Sequence, residues 1–380
     1  MSGALALAVL RDDDAIDALE PEWWDLVDRA ADANVYLTPA WAGAWWRTFG
    51  RGPRAHASRN RLHLVTVRRG GLLVALAPLL ESRLVPGPVG VRMLVGVGHE
   101  NADFGGVLVD GGAPEALDEV VEHLAVELGR RGTVLNLTRL ADDSALLGAL
   151  RARLEGSHEL RQEEHEAYPY LDLRAFEDPE RGVRKLLKKN DVLRRGRRLA
   201  EVGEVEWVYH RSGSSREDLD AFLRLHDLRW EGRAPTGPFT SVPGRAFLAD
   251  ASAALDRAGL LRISFVTLDG VPIVGRYGAV FGGYYLGMKS GWDPTYATYG
   301  PGHLVVGRLL EQAVQDGLDG FDFMRGAGDH KSAWTNQARD VGYTTVVRRG
   351  ALADVEHRAL WTGLRLRYRW RGRPVAPSMA

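Results

Sequence analysis

The chain has 380 residues, 45% hydrophobic and 26% charged, with a formal net charge of −1. That length points to two domains, and the near-neutral balance excludes a global attraction to nucleic acid or membrane, leaving only local patches. Cysteine is absent, which excludes disulfides, thiolate metal sites and a cysteine nucleophile. Met1–Leu10 is apolar without a basic start and is followed by Asp12–Asp14, so it reads as a first strand rather than a signal peptide. The run Leu72–Leu80 contains Pro78 and is too short to span a bilayer, so the expectation is a soluble, cytoplasmic protein.

In chain order, a strand at Leu5–Leu10 and a helix from Ala15 to Ala31 open the first half. Trp23, Trp24, Trp41, Trp45 and Trp46 crowd this region, as expected of core packing. Arg51–Arg61 reads as a loop. Leu62–Arg68 and Leu72–Leu80 make a hairpin, Glu115–Leu128 an amphipathic helix and Val134–Leu137 a buried strand. A polar stretch at Glu155–Ala167 links the halves. Arg181–Arg198 then reads as one basic helix, with nine positive residues, one aspartate and a stripe of Leu186, Leu187 and Leu193. It suits RNA, an acidic lipid surface, a CoA phosphate or an anionic sugar, or simply a solvated face.

Glu217–Trp230 is a helix with Leu219, Phe222, Leu223, His226 and Trp230 on one face, and Glu231–Pro243 is a loop that could serve as a lid. A second hairpin, Leu260–Thr267 and Val271–Val280, leads through a loop to the helix Gly302–Gln315 and the strand Phe321–Met324. This order repeats that of the first half and implies a duplication. The expected domains are 1–160, 161–350 and a basic helix and tail over 351–380, the last suited to peripheral contact with an anionic membrane or to closing the second domain.

The chemistry concentrates in Gly287–Gly326. Tyr299-Gly300-Pro301-Gly302-His303 brings glycines into a helix start, where unpaired backbone N–H groups and the helix dipole favour an anion such as phosphate. The same residues would also serve merely to turn the chain. The first half has Glu100–Gly106 at the matching place, an acidic loop that would repel a phosphate. That copy is expected to lack a donor site, with Asp103 either facing substrate or forming a turn. Only five of the 49 basic residues are lysine, Lys185, Lys188, Lys189, Lys289 and Lys331, which draws notice to Lys331.

The strand–loop–helix–strand order resembles the acyl-CoA site of GNAT-type acetyltransferases, whose loop reads approximately Arg/Gln-x-x-Gly-x-Gly/Ala. The glycine pair is present, but Ala297 stands in the Arg/Gln position. Leu225-His226 with Arg229-Trp230, Gly291-Trp292-Asp293-Pro294, Phe321-Asp322-Phe323 with Gly326, and Lys331 with Trp334 resemble the CelD/BcsL-like acetyltransferases. That GNAT-related group is akin to the Fem aminoacyl transferases of peptidoglycan synthesis. The resemblance spans roughly residues 170 to 345. It implies a mixed α/β fold of two tandem GNAT-like domains and a direct acyl transfer from acetyl-CoA or a longer acyl-CoA, with backbone N–H groups stabilising the thioester oxygen. The acceptor would be a small-molecule or glycan-linked amine, or a hydroxyl. Two other readings stand beside it: a Fem-like transferase using aminoacyl-tRNA, with the basic helix on RNA, and a non-catalytic GNAT-like protein of polysaccharide or envelope assembly.

Proton transfer needs a base, for which Asp322, Asp293, Asp329 and His330 are the candidates. Lys331 would bind or polarise the donor, and Tyr299 and Tyr296 are candidate acids. Tyr299, Gly300, Gly302, His303 and Met288 form the expected donor site. His226, Trp230, Asp103 and Trp334 form the expected acceptor side, though His226 also fits a buried core histidine. No paired metal-ligand spacing appears, so no metal is expected.

Overall fold

The computed structural model describes residues 3–51, 60–83, 91–214, 216–231, 239–326 and 328–350. Two compact units divide the chain: Met1–His165 together with the chain from Asp340, and Glu166–Arg339. The basic C-terminal segment 351–380, most of the loop 51–61 and residues 232–238 of the expected lid lie outside the described residues.

The first unit contains β1 (Leu5–Leu10), α1 (Ala15–Arg29), α2 (Pro39–Trp45), β2 (Arg61–Arg69) and β3 (Leu72–Arg83), followed by β4 (Arg92–Gly96) and β5 (Leu108–Val109). After these come α3 (Ala116–Leu128), β6 (Thr133–Ala141) and α4 (Ala145–Leu154). Its sheet runs β1-β2-β3-β4-β6, with β5 on β3. The first pairings are antiparallel, and β4 meets β6 in parallel because α3 carries the chain across. Gly70 and Gly71, both at positive φ, close the β2–β3 hairpin. Four of the five tryptophans are core: Trp23, Trp41, Trp45 and Trp46 are buried and Trp24 is half-buried, and Trp23 Nε1 donates to the Leu37 carbonyl at 2.8 Å.

The second unit takes in the end of β7 (His158–Asp172), then α5 (Pro179–Lys189), α6 (Val192–Ala200), β8 (Val205–Tyr209), α7 (Arg216–Trp230), α8 (Val242–Arg257) and β9 (Leu261–Leu268). It continues through β10 (Val271–Phe281), β11 (Tyr284–Trp292), α9 (Pro301–Gln315), β12 (Gly320–Asp322) and the short α10 (Asp329–Ser332). Strand order is β7-β12-β11-β10-β9-β8. Here too a hairpin and a third antiparallel strand lead through a helix to a parallel neighbour, β11 against β12. The last strand, β13 (Ala338–Arg348), pairs antiparallel with β6 over Val341–Val346, so the first unit is completed by the chain's return.

Three local expectations change. The basic segment is two helices, because Asn190 caps α5 and Asp191 adopts φ 60°, a left-handed break that ends the helical run before α6. The loop expected before the helix is largely a 3-10 helix, Pro294–Tyr299, started by Asp293, whose carboxylate accepts from the Thr295 amide at 2.9 Å. α4 and α8 were not anticipated from sequence, as both carry small or mixed residues with a weak apolar rhythm.

Candidate active site

β11 and β12 pair only at Tyr284↔Gly320, Tyr285↔Phe321 and Leu286↔Asp322. β11 then runs six residues further to Trp292 without β12 beside it, so the two parallel strands part after Leu286. At the parting point β11 carries a bulge. Its register with β10 passes from Leu286↔Ala279 to Lys289↔Tyr277, leaving Gly287 and Met288 opposite Gly278 alone. A bulge leaves backbone groups outside the ladder and increases local twist. Met288, expected at the donor site, therefore stands in the bulge itself, with its side chain buried.

From the end of β11 the 3-10 helix carries the chain to the start of α9. Gly300 is the N-cap residue at φ 61°, with no side-chain cap, and Pro301 contributes no N–H. The His303 and Leu304 amides both turn back to the Gly300 carbonyl, at 2.9 and 3.2 Å. Gly302 is exposed, and a Cβ there would meet nothing within 4 Å. A side chain on Gly300 would overlap the Arg195 guanidinium, which lies across it from α6, and Arg198 stands 5.6 Å over the Tyr299 ring. The basic side chain that the loop lacks at Ala297 is thus matched in space by α6. The His303 ring lies 5.7 Å from that of Trp334, which is buried in the core. Burial first, then Arg195, lowers its pKa, so the imidazole is neutral near pH 7, and its Nδ1 meets no described partner.

Asp322 and Lys331 converge on one residue. Asp322, 2% exposed, accepts the Met324 amide at 2.7 Å on Oδ1 and an Arg339 guanidinium N–H on Oδ2. Lys331 Nζ donates to the Met324 and Arg325 carbonyls, at 2.9 and 2.6 Å. Met324 itself has φ 59°, a left-handed conformation that costs a non-glycine residue energy and is held by these bonds. Both side chains therefore fix the turn at the end of β12. His330 precedes Lys331 on α10 and is exposed. Desolvation comes first among the causes that lower its pKa, then the cations Lys331, Arg229 and Arg276.

The remaining expected residues are more dispersed. His226, 4% exposed, packs among Phe222, Phe239 and Trp230, and burial followed by Lys289 holds its pKa at about 4. Asp103 accepts from the Tyr36 hydroxyl at 3.3 Å in the first unit. Asp293 is the cap described above. Arg276 on β10 was not singled out in the sequence, because one arginine among many carries no local signal. It is 9% exposed and donates from Nη2 to the Gly287 carbonyl at 2.7 Å. A Cβ at Gly287 would overlap Nη2, so a larger residue there would displace the guanidinium.

In the first unit the helix matching α9 is α3, whose first turn carries Asp118 and Glu119 and so disfavours an anion. The fold also gathers His63 with His123 and Glu127, which sequence spacing did not reveal. Arg11 donates to His63 Nδ1 at 3.1 Å, and an arginine can only donate, so Nε2 of His63 carries its proton. That Nε2 lies 2.9 Å from His123 Nε2, while Glu127 accepts from Arg92 and Arg130. The trio is a satisfied hydrogen-bond relay, and its lone pairs are poorly disposed to hold a cation.

Residues 188–332 match the family model described as an acetyltransferase (GNAT) domain. No curated protein matches the sequence. Among solved structures, the chain is similar to L-PGS from Bacillus licheniformis, at 12% identity and TM-score 0.52, over 92% of this chain and 96% of that one. It is similar to FemX at 12% identity and TM-score 0.55, over 90% and 96%. It also resembles the C-terminal domain of a putative lysylphosphatidylglycerol synthetase from Agrobacterium fabrum, at 11% and 0.51, over 91% and 95%. At such identities the likeness is one of fold. With the parted strands and the glycine-entered helix, these findings give the architecture its description: a mixed α/β protein of two GNAT-like units, with the fold of GNAT-type acyltransferases.

Proposed function

We propose that the second unit transfers an acyl group from a CoA thioester directly to an amine or hydroxyl. The observation that carries this reading is the parting of β11 from β12 beside a helix start entered through Gly300 and Gly302. A pyrophosphate would meet the N-terminal dipole of α9 with Arg195 and Arg198 at its side, and the pantetheine arm would run into the cleft. The thioester would then lie at the Gly287–Met288 bulge, where freed backbone N–H groups are the natural donors to its oxygen. A neutral imidazole at His330 supplies the proton acceptor, while Asp322 and Lys331 hold the turn that positions it. Trp230 and His226 stand on the acceptor side in this reading, and a cytoplasmic location fits a CoA-dependent enzyme. The motifs around Trp292, Asp322 and Trp334 favour the CelD/BcsL-like group within the superfamily.

Acetyl-CoA tests the donor site. At a concentration about a hundredfold above its Kd it adds about 2.7 kcal/mol of stability, a readable rise in melting temperature. Gly302→Asp places a carboxylate in the anion's path and abolishes that rise. Equal stabilisation of wild type and variant removes this helix start from the site.

A second reading, transfer from aminoacyl-tRNA, is favoured by the exposed basic residues of α5 and α6. Arg184, Lys185, Lys188, Lys189 and Arg197 all face solvent.

A further inference from the structure

Arg276 is a buried cation with no anion. Its only described hydrogen bond is the one to the Gly287 carbonyl, its Nε is buried without a partner, and its guanidinium otherwise lies 5.9 Å over the Phe321 ring. Two more polar groups in the same part of the sheet share this condition. Ser264 Oγ, on the residue paired with Arg276 across β9, and the Tyr285 hydroxyl, on β11, are both buried and have no well-formed partner beyond their approach to one another. Buried charges are ordinarily paired, and buried hydroxyls hydrogen-bonded, because the cost of leaving them bare is high. Three such groups together mark a place prepared for something polar.

The location says what. Gly287 is the first residue beyond the last β11–β12 pair, and Phe321 is the residue before that pair's Asp322. Arg276 therefore lies beside the point where the two strands part, and an acyl group whose thioester lies at the bulge would end near it. Arg229 lies close by, donating to the carbonyl and hydroxyl of Ser290, the residue paired with Arg276 on β11. Lys331 and His330 stand at the end of β12. No carboxylate offsets Arg276 among the described residues. An acetyl methyl or an alkyl chain would leave the guanidinium as bare as before, and the ammonium of an aminoacyl group would be repelled by it.

We infer that the acyl group transferred ends in a carboxylate, received by Arg276 with Ser264 and Tyr285, so that the donor is the CoA thioester of a short dicarboxylic acid. This rests on the donor reading above. In the transfer the acceptor nitrogen or oxygen bonds to the thioester carbon, the C–S bond breaks, CoA leaves as the thiol, and the acceptor's proton passes to the base. The distal carboxylate takes no part in bond making and serves only for recognition.

The test compares succinyl-CoA, butyryl-CoA and free CoA by calorimetry on the full chain, in wild type, Arg276→Met and Arg276→Lys. Wild type is expected to bind succinyl-CoA at least tenfold more tightly than butyryl-CoA. Arg276→Met should lose that ratio while keeping its affinity for free CoA, and Arg276→Lys should retain part of it. Because methionine removes an unpaired buried charge, that variant should melt at or above the wild-type temperature, which shows that it folds. Equal binding of the two esters by wild type, or a preference that survives in Arg276→Met, overturns the inference and leaves the donor reading intact. Absence of binding by all three compounds removes the donor reading and this inference with it. Binding of free succinate beside acetyl-CoA, without an ester preference, puts the carboxylate on the acceptor and overturns the assignment.

Discussion

At the scale of single residues, the turn after β12 separates holding from reacting. Asp322 has one oxygen on the Met324 amide and the other on Arg339, and Lys331 holds the carbonyl of the same Met324. Removing one partner of a buried ion pair costs roughly 3–5 kcal/mol, and Arg339 keeps a third of its side chain in solvent, so Asp322→Asn should lose about 2–3 kcal/mol. Its rate should fall through misplacement of the turn, with the shape of the pH–rate profile kept. His330→Gln should behave in the opposite way. Stability should hardly change, turnover should fall about a hundredfold, and the acid limb of the profile should vanish. Because partial desolvation of its ring and neighbouring cations lower the His330 pKa, that limb lies below the ordinary imidazole value in the wild type. An acid limb that persists in His330→Gln and disappears in Asp322→Asn would assign the proton to the aspartate instead.

At the scale of elements, α6 decides which donor the chain is built for. The left-handed Asp191 ends α5 and redirects the chain, and α6 then runs through Gly196 to bring Arg195 across Gly300. Arg195 and Arg198 are thereby committed to the start of α9, whereas Lys185 and Lys188 on α5 remain exposed. RNA would engage the exposed set and release counterions, giving an affinity that falls steeply with salt. A single CoA offers few phosphates and a shallow slope. Salt titrations with tRNA and with CoA, on wild type and on Lys185→Glu/Lys188→Glu, separate the two. The expected result is shallow CoA binding unchanged by the double substitution and no tRNA binding at low salt. Steep tRNA binding that the substitution removes would promote the aminoacyl-tRNA reading.

At the scale of the whole molecule, what sequence made legible was what periodicity and turn chemistry encode. The two hairpins, the crossover helices, the repeated order of the two units and the glycine entry to α9 were all expected and are all present. What it could not supply were meetings between distant residues: Arg276 under Gly287, Arg195 over Gly300, Asp322 with Arg339, and the pairing of His63 with His123. Those follow from packing, and they set a further property of the chain, its response to acid. His63 in the first unit is fully buried, and desolvation, then Arg11 and His123, bring its pKa down to about 3. His226 in the second is brought to about 4 by desolvation and Lys289. His123, His158, His303 and His330 shift in the same direction. A histidine neutral in the fold takes up its proton only on unfolding once the pH passes below about 6.5, so the unfolded state then binds more protons and gains ground. Stability is therefore complete above pH 6.5 and falls steadily as the pH drops towards 4. Burial works against the charged forms of Glu127, Asp110 and Asp316 but is outweighed by their arginine partners, so their pKa values are lowered; the stability they contribute is present at neutral pH and is lost only at more acid pH. Urea unfolding at pH 7.5 and 5 should show the loss. In His226→Phe, which fills the aromatic cluster without a titrating group, the slope should become smaller. A stability unchanged between the two pH values would mean that these imidazoles are not held neutral by the fold.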